Sequence, residues 1–178
     1  MWQISLSGTG GQGLILAGII LAEAAIIDGK EAVQTQSYGP EARGGSSKAE
    51  VIIADAPIDY PKVTKADLML SMSQAACDKY ISVLKDGGML MLDSTFVQDV
   101  PKVDAKILSL PITKTAKEEL GHAMFANIIA LGALVGATNM VTEAALTEAV
   151  LDRIPKGTEE KNQKALSLGL ALGKAQHQ

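Results

Sequence analysis

The sequence predicts an α/β protein, with a single three-layer α/β/α domain over residues 1–178 built on a mostly parallel or mixed sheet of about six strands. Short apolar runs alternate with helical patterns from Trp2 to Leu110. These runs are almost continuously apolar, which is typical of strands buried on both faces. From Ile112 onward the pattern is helical, so the C-terminal third is expected to cover one face or edge of the sheet.

The positions of the elements follow from the apolar runs and from the glycines and prolines that bound them. Strands are predicted at Trp2–Ser7, Lys30–Thr35, Lys48–Ala54, Asp67–Met72, Met89–Asp93 and Ala105–Leu110. Helices are predicted at Gly11–Asp28, Gln74–Leu84, Thr113–Leu120, Ala123–Ala137, Thr142–Arg153 and Lys156–Gln176. Gly29 is expected to end the first helix, the Gly87–Gly88 pair to stop the second, and Thr142 to cap the fifth.

The connection between the second and third strands has no room for a helix. These strands are therefore either antiparallel neighbours or lie apart in a mixed sheet, because a parallel crossover needs a longer connection.

The composition excludes several classes of function. Cys77 is the single cysteine, so the chain cannot ligate an iron–sulfur cluster, which takes four thiolates, or a cysteine-rich zinc site. A formal charge of −4 without a basic block argues against a nucleic-acid surface. Neither a targeting segment nor a clean apolar stretch of membrane-spanning length is present, so a cytoplasmic protein is expected.

The chain is apolar for a small free domain, with 47% hydrophobic and 20% charged residues. Two explanations stay open at this point. One is a core rich in alanine, isoleucine and leucine, and the other is a sizeable surface buried against partner subunits.

A glycine-rich turn follows the first predicted strand, where ISLSGTGGQGLILAG has the spacing G-x-G-x-x-G. Glycines let the backbone approach a ligand closely, and the first amides of the following helix have no partner within that helix. Together with the helix dipole, these amides favour a phosphate or pyrophosphate. The candidate site residues in this turn are Gly8, Thr9, Gly10, Gly11, Gln12 and Gly13.

The same glycines would also serve a close strand-to-helix crossover that binds no ligand. A dinucleotide fold would need an acidic residue at the end of the second strand, about 20 residues further on. Asp28 and Glu31 flank the start of that strand, whereas its end reads Gln34-Thr35-Gln36. A stand-alone Rossmann-like NAD(P)- or flavin-binding oxidoreductase is therefore an alternative that the pattern fits less well. A purely structural subunit without ligand is the other alternative.

A second loop, SYGPEARGG, is the more specific feature. Its proline and glycines suit a rigid turn, but Tyr38, Glu41 and Arg43 are costly choices for a plain connector. Arg43 offers a planar cation for a phosphate or carboxylate, and the alternative is that a Glu–Arg pair only fixes the loop's own backbone. The candidate binding residues here are Ser37, Tyr38, Arg43 and Gly44.

The two loops together carry a resemblance that spans almost the whole chain. GTGGQG, followed by SYGPEARGG and a strand, resembles the gamma subunit of 2-oxoacid:ferredoxin oxidoreductases. The sequences of the second loop and of Ile58-Asp59-Tyr60-Pro61 are most similar to those of the 2-oxoglutarate members of the family. The pyruvate and branched-chain (ketoisovalerate) members are also similar. Further matching segments are Ala66-Asp67, Met72-Ser73-Gln74, Asp78-Lys79-Tyr80 and Asn127 to Gly132.

The resemblance implies a multisubunit enzyme that decarboxylates a 2-oxoacid on thiamine diphosphate, passes electrons through iron–sulfur clusters to ferredoxin and makes an acyl-coenzyme A. It places thiamine diphosphate and the clusters on partner subunits, namely alpha, beta and a ferredoxin-like delta chain. For this chain it implies a structural, non-catalytic role and help in holding coenzyme A. Coenzyme A carries a pyrophosphate and a 3′-phosphate, which suit the glycine turn and Arg43.

Other polar and sulfur-containing residues are expected to be structural. His122 is expected to lie on the surface or cap a helix, Cys77 to pack within a helix, and the methionines between Met69 and Met91 to fill the core. No metal site is expected on this chain.

Overall fold

The computed structural model describes residues 1–38 and 45–177, except for the side chain of Tyr38, and has one mixed sheet flanked by helices. The strands are β1 (Trp2–Thr9), β2 (Glu31–Tyr38), β3 (Ser46–Ala54), β4 (Ala66–Ser71), β5 (Leu84–Asp93) and β6 (Ala105–Leu110). The helices are α1 (Leu14–Ile27), α2 (Gln74–Tyr80), α3 (Ile112–Leu120), α4 (Ala126–Thr138), α5 (Glu143–Arg153) and α6 (Glu159–Lys174). The predicted fold class, including the helical C-terminal third, is confirmed.

The sheet has the strand order β2-β3-β1-β4-β5-β6. β3 is antiparallel to both of its neighbours, whereas β1, β4, β5 and β6 pair in parallel. Consequently β1 and β2 run in the same direction although β3 lies between them. Every described strand except β3 therefore ends at the same edge of the sheet, called here the carboxyl edge, where α/β proteins hold their ligands.

The two faces of the sheet are covered unequally. Ile4 and Leu6 of β1 point into the larger core, which α1 and the C-terminal helices close. Ser5 and Ser7 alternate to the other face, as the period of a strand requires. On that face a smaller core around Met69, with Leu90 and Leu92, packs under α2.

Helix α4 is buried from Ala126 to Ala137, so it is a core helix with no solvent-facing side. The backbones of α4 and α6 approach each other closely, because each helix has glycines on the face that contacts the other. A Cβ atom at Gly169 would lie 2.1 Å from the carbonyl oxygen of Ile129, and one at Gly173 would lie 2.1 Å from that of Ala133. A fully buried helix of this kind accounts for part of the apolar composition.

Three predicted boundaries are wrong for identifiable reasons. The Gly87–Gly88 pair lies inside β5 and does not stop α2, which ends at Tyr80 and passes through one 3-10 turn into the strand. Helix α6 begins at Glu159, since Gly157 has a φ of 91° and interrupts the predicted run. β2 extends through Tyr38 into the predicted loop, because its pairing with β3 continues to that residue.

The expected caps and packing residues are where the sequence placed them. The Thr142 hydroxyl accepts a hydrogen bond from the Ala145 amide at 3.1 Å, and Gly29, with a φ of 77°, ends α1. Cys77 is fully buried, and this burial raises the pKa of its thiol, against a hydrogen bond from Ser71 that lowers it. The sulfur is therefore a packing group rather than a reactive thiolate.

No helix within residues 1–38 and 45–177 has both the length and the apolar character needed to cross a membrane.

The contact between α4 and α6 yields a stability prediction. Gly169→Ala is expected to lower the free energy of unfolding by about 1–3 kcal/mol through overpacking, although alanine favours a helix by ~1 kcal/mol. Urea unfolding measures the change. Ser167→Ala, at an exposed position of the same helix, is the control and should stay within about 0.5 kcal/mol of the wild type. Equal stability of all three proteins would contradict the close packing.

Candidate ligand site at the glycine turn

The glycine turn between β1 and α1 is fixed by the side chain of Gln12. Its Oε1 accepts a hydrogen bond from the Thr9 amide at 2.7 Å, and its Nε2 donates to the Met72 carbonyl at 2.9 Å. Gln12 thus ties the turn to the chain that follows β4, the parallel neighbour of β1. The turn is held by its own side chain before any ligand arrives.

The four glycines of the turn have two different roles. Gly8 and Gly13 are needed for packing, since a Cβ atom would lie 2.2 Å from Gln12 Oε1 at Gly8 and 2.5 Å from Asn127 Nδ2 at Gly13. Gly10 and Gly11 have no described atom within 4 Å of such a Cβ position. The close-crossover explanation therefore holds for Gly8 and Gly13, whereas no described residue crowds Gly10 or Gly11.

Unused backbone donors lie at the start of α1. The Gly10 amide is occupied by the Gly45 carbonyl at 3.2 Å, and Gln12 donates to Thr9. No described residue accepts a hydrogen bond from the amides of Gly11, Gly13 or Leu14. Such amides at a helix N-terminus, together with the helix dipole, form an anion site.

The second loop starts and ends beside this turn. Thr9 is paired with Ser46, and Gly8 with Ser47, in the β1–β3 ladder, while Ser47 is also paired with Tyr38 of β2. Both ends of the loop therefore lie at the carboxyl edge next to Gly10. Glu41, Arg43 and Gly44 lie outside the described residues.

A cleft of about 400 Å³ opens beside the glycine turn. On one side it is lined by the backbone and polar groups of Thr9, Gly11, Gln12 and Gly13. The opposite wall is mainly apolar, and its residues are Phe96, Ala123, Met124 and Ala126, with Thr113 and His122 beside them. One polar and one apolar wall suit a ligand that carries a phosphate on an otherwise less polar body.

Asp93 shapes the far wall of the cleft. Its carboxylate is fully buried and accepts hydrogen bonds from the amides of Thr95, at 3.1 Å, and Thr113, at 3.2 Å, and from the Thr113 hydroxyl. The charge is thereby satisfied at the N-terminus of α3, where a negative group is favoured. Asp93 fixes the backbone that presents Phe96 and Thr113 to the cleft.

His122 caps a short helical turn, as the sequence predicted. Its Nδ1 accepts a hydrogen bond from the Met124 amide at 2.9 Å, so the neutral ring carries its proton on Nε2. The sequence did not predict that His122 also lines the cleft. Phe96, Thr113 and Met124 were likewise missed, because they approach the turn only through the fold. The sequence signal that could have located Phe96 and Thr113 is that each follows a strand, β5 or β6, that also ends at the carboxyl edge.

The geometry does not favour a dinucleotide-binding arrangement. In that fold β1 and the next strand are parallel neighbours, and an acidic residue ends the second one. Here β3 separates β1 from β2, and β2 ends in Gln36, Ser37 and Tyr38.

No group of three or more histidine, cysteine, aspartate or glutamate side chains that could hold a metal ion occurs in the described part of the chain.

The sequence matches the pyruvate ferredoxin/flavodoxin oxidoreductase family over residues 3–172. The chain therefore belongs to this family. Among curated proteins, it is 52% identical to the 2-oxoglutarate synthase subunit KorC of Methanocaldococcus jannaschii, over 97% of this chain and 94% of that protein.

Solved structures agree with this assignment. The gamma subunit of a keto/oxoacid ferredoxin oxidoreductase from Geobacter sulfurreducens aligns with a TM-score of 0.89 at 48% identity, over 98% of this chain and 99% of that one. A 2-oxoglutarate:ferredoxin oxidoreductase from Magnetococcus marinus shares the fold at a TM-score of 0.88 and 24% identity, over 98% of this chain and 31% of that one. The resemblance to a gamma subunit seen in the sequence is thus confirmed.

Gln12 should be important for stability as well as for the turn. Gln12→Ala leaves the Thr9 amide and the Met72 carbonyl without their partner, which is expected to cost about 1–3 kcal/mol of unfolding free energy. Gln163→Ala, at an exposed site of α6, is the matched control and should be nearly neutral. Chemical denaturation of both variants tests this, and equal stabilities would show that the side chain does not hold the turn.

Proposed function

We propose that this chain, as one gamma-type unit over residues 1–178, forms part of the coenzyme A site of a 2-oxoglutarate:ferredoxin oxidoreductase. In this proposal the enzyme makes an acyl-coenzyme A, carbon dioxide and reduced ferredoxin. The chain contributes structure and phosphate contacts but no reacting group. The observation that carries the proposal is that Gly11 and Gly13, whose amides find no acceptor among the described residues, line a cleft with one apolar wall.

The chemistry of the cleft supports this ligand class. Amides at the N-terminus of a 14-residue helix favour a pyrophosphate. Lys117 Nζ lies 5.9 Å from the ring centroid of Phe96, which places a cation near the apolar wall. Arg43 stands two residues before Gly45, whose carbonyl contacts Gly10. A cleft of about 400 Å³ would hold part of coenzyme A, and the rest would lie against partner subunits.

The relatives support the choice of substrate and cofactor. The Methanocaldococcus protein is a 2-oxoglutarate synthase subunit, whereas the PorC subunit of a pyruvate synthase from Methanothermobacter thermautotrophicus is 32% identical to this chain. The Magnetococcus structure contains 2-oxoglutarate, coenzyme A and succinyl-CoA. We therefore propose that 2-oxoglutarate is the substrate of the enzyme to which this chain belongs.

The proposal assigns thiamine diphosphate and the iron–sulfur clusters to partner chains. Cluster ligation takes four thiolates, and this chain has one cysteine, which is buried. On the resemblance to the family, the proposed partners are alpha, beta and ferredoxin-like delta subunits, with ferredoxin as the electron acceptor of the complex.

Substitutions in the two loops test the coenzyme A site. Arg43→Ala should weaken coenzyme A binding by about 1.5–3 kcal/mol, the size of a charge-assisted hydrogen bond. Gly10→Val should weaken it further, because the added side chain occupies open space that the phosphate needs. Gly10 has no positive φ and no described atom within 4 Å of its Cβ position, and circular dichroism checks that this variant is folded. Calorimetric titration with coenzyme A gives both values.

Lys62→Ala provides the control, since it removes an exposed cation near the amino end of β1, at the opposite edge of the sheet. Coenzyme A affinity should be unchanged in this variant. If Arg43→Ala and Gly10→Val also bind like the wild type, the coenzyme A proposal fails and a purely structural subunit becomes the better description.

The isolated chain should not turn over any 2-oxoacid. It lacks the thiolates for a cluster, so electrons from decarboxylation have no path on this polypeptide. Dye reduction by the pure chain with 2-oxoglutarate and coenzyme A should stay at the background rate. Activity should appear only after addition of the partner subunits. Turnover by the pure chain at the rate of the assembled enzyme would contradict a non-catalytic role.

A further inference from the structure

One flank of α1 is apolar yet only partly buried. Residues at positions 15, 19, 22 and 26 fall on one side of a helix, and here they are Ile15, Ile19, Ala22 and Ile26. Ile15 and Ile19 are half-buried and Ile26 is 59% exposed, whereas Ile20 and Leu21 of the same helix are fully buried. An ordinary surface helix would carry polar side chains on this flank.

The apolar flank lies beside the outer edge of the sheet. Helix α1 covers β2 and β3, with Gly18 directly above Gln34 Cγ and Ala49 Cβ. The flank that bears Ile20 faces the core, and Glu23 next to it pairs with Arg153 of α5. The opposite flank, with Ile15 and Ile19, is therefore only partly covered by the core, and we place it toward the side of β2 on which no described strand pairs.

Within the described residues, the outer edge of β2 shows neither a covering strand nor the sequence features that usually prevent further pairing. All eight of its residues pair with β3 without a register shift, so the strand is regular. Its sequence, EAVQTQSY, contains neither proline nor lysine, and its single charge is Glu31 at the start. The opposite edge strand, β6, is shorter, carries Lys106 and is followed by Pro111. Long regular edges without charges pair readily with another strand.

We propose that this surface, the outer edge of β2 together with the apolar flank of α1, is the contact between two copies of this chain. A two-fold axis through Gln34 would pair β2 with β2 of the second copy in antiparallel orientation. The sheet would then continue across both chains, and the α1 flanks would meet above it.

The surface is self-complementary about this axis. Gly18 lies above Gln34, and Ile15, Ile19 and Ala22 lie on either side of Gly18 along the helix. A two-fold axis through Gln34 would therefore bring the two β2 strands and the two α1 flanks together at the same level. Gln34 would face Gln34, and Val33 would face Thr35. Glu31 would lie opposite Ser37, so no like charges would meet across the axis.

Two substitutions and two matched controls test the contact by sedimentation velocity of the full chain, from micromolar to high-micromolar concentration. Ile19→Lys puts a charge on the α1 flank, and Gln34→Glu puts two carboxylates opposite each other at the axis. Each should weaken dimerisation at least about tenfold, equivalent to ~1.4 kcal/mol. Ile27→Lys, on the α5 side of the same helix, and Gln163→Glu, at an exposed site of α6 outside this surface, should leave it unchanged.

Circular dichroism of all four variants shows whether they are folded, which separates lost association from lost structure. A wild type that stays monomeric over this concentration range overturns the proposal. Equal dissociation of variants and controls also overturns it. If Ile19→Lys and Gln34→Glu instead abolish binding to the other subunits of the enzyme while the wild type is monomeric, the surface belongs to a different partner. None of these measurements depends on coenzyme A binding.

Discussion

The antiparallel strand β3 is the constraint on which the rest of the structure depends. The connection from β2 is too short to cross the sheet, so β3 must turn back and run against its neighbour. By pairing with both β2 and β1, it separates two strands that a dinucleotide fold would place side by side. It nevertheless keeps them pointing the same way. The two distinctive loops of the sequence therefore start from neighbouring positions at one edge of the sheet.

The sequence predicted this architecture well where short-range patterns decide the outcome. The strands, the Thr142 cap and the end of α1 at Gly29 depend on alternation, on one hydroxyl and on one glycine, all of which are local. One error occurs where a glycine serves the sheet instead of ending a helix. Gly87, with a φ of 75°, lies within β5 near a register shift between β4 and β5, and no local pattern distinguishes that role from a helix stop.

At the candidate site, too, the sequence predicted the local features but not those that depend on residues far apart in the chain. The glycine spacing located the turn, but it did not separate Gly8 and Gly13, which are crowded by neighbouring side chains, from Gly10 and Gly11, which face open space. That distinction depends on Gln12 and on Asn127, which is more than 110 positions further along the chain. Asp93 is a similar case, because its buried charge is explained only by the amides of Thr95 and Thr113 after folding.

Part of the apolar composition comes from α4, which the overall percentage of hydrophobic residues could not show. Helix α4 has no exposed side from Ala126 to Ala137, so it uses apolar residues around its whole circumference. Helix α1 is even more apolar than α4, although one of its flanks is accessible. The first explanation considered for the composition, a core rich in alanine, isoleucine and leucine, therefore corresponds to α4, and burial against partner subunits stays a prediction.

The glycine-mediated contact between α4 and α6 has a mechanical consequence. Where two backbones touch through Gly169 and Gly173, no layer of flexible side chains lies between them to absorb a displacement. Asn127, in the first turn of α4, in turn touches Gly13. The position of α6 thus fixes α4, and with it the Asn127 side chain that holds the Gly13 carbonyl. The stiffness of the helix pair is therefore shared by the end of the glycine turn.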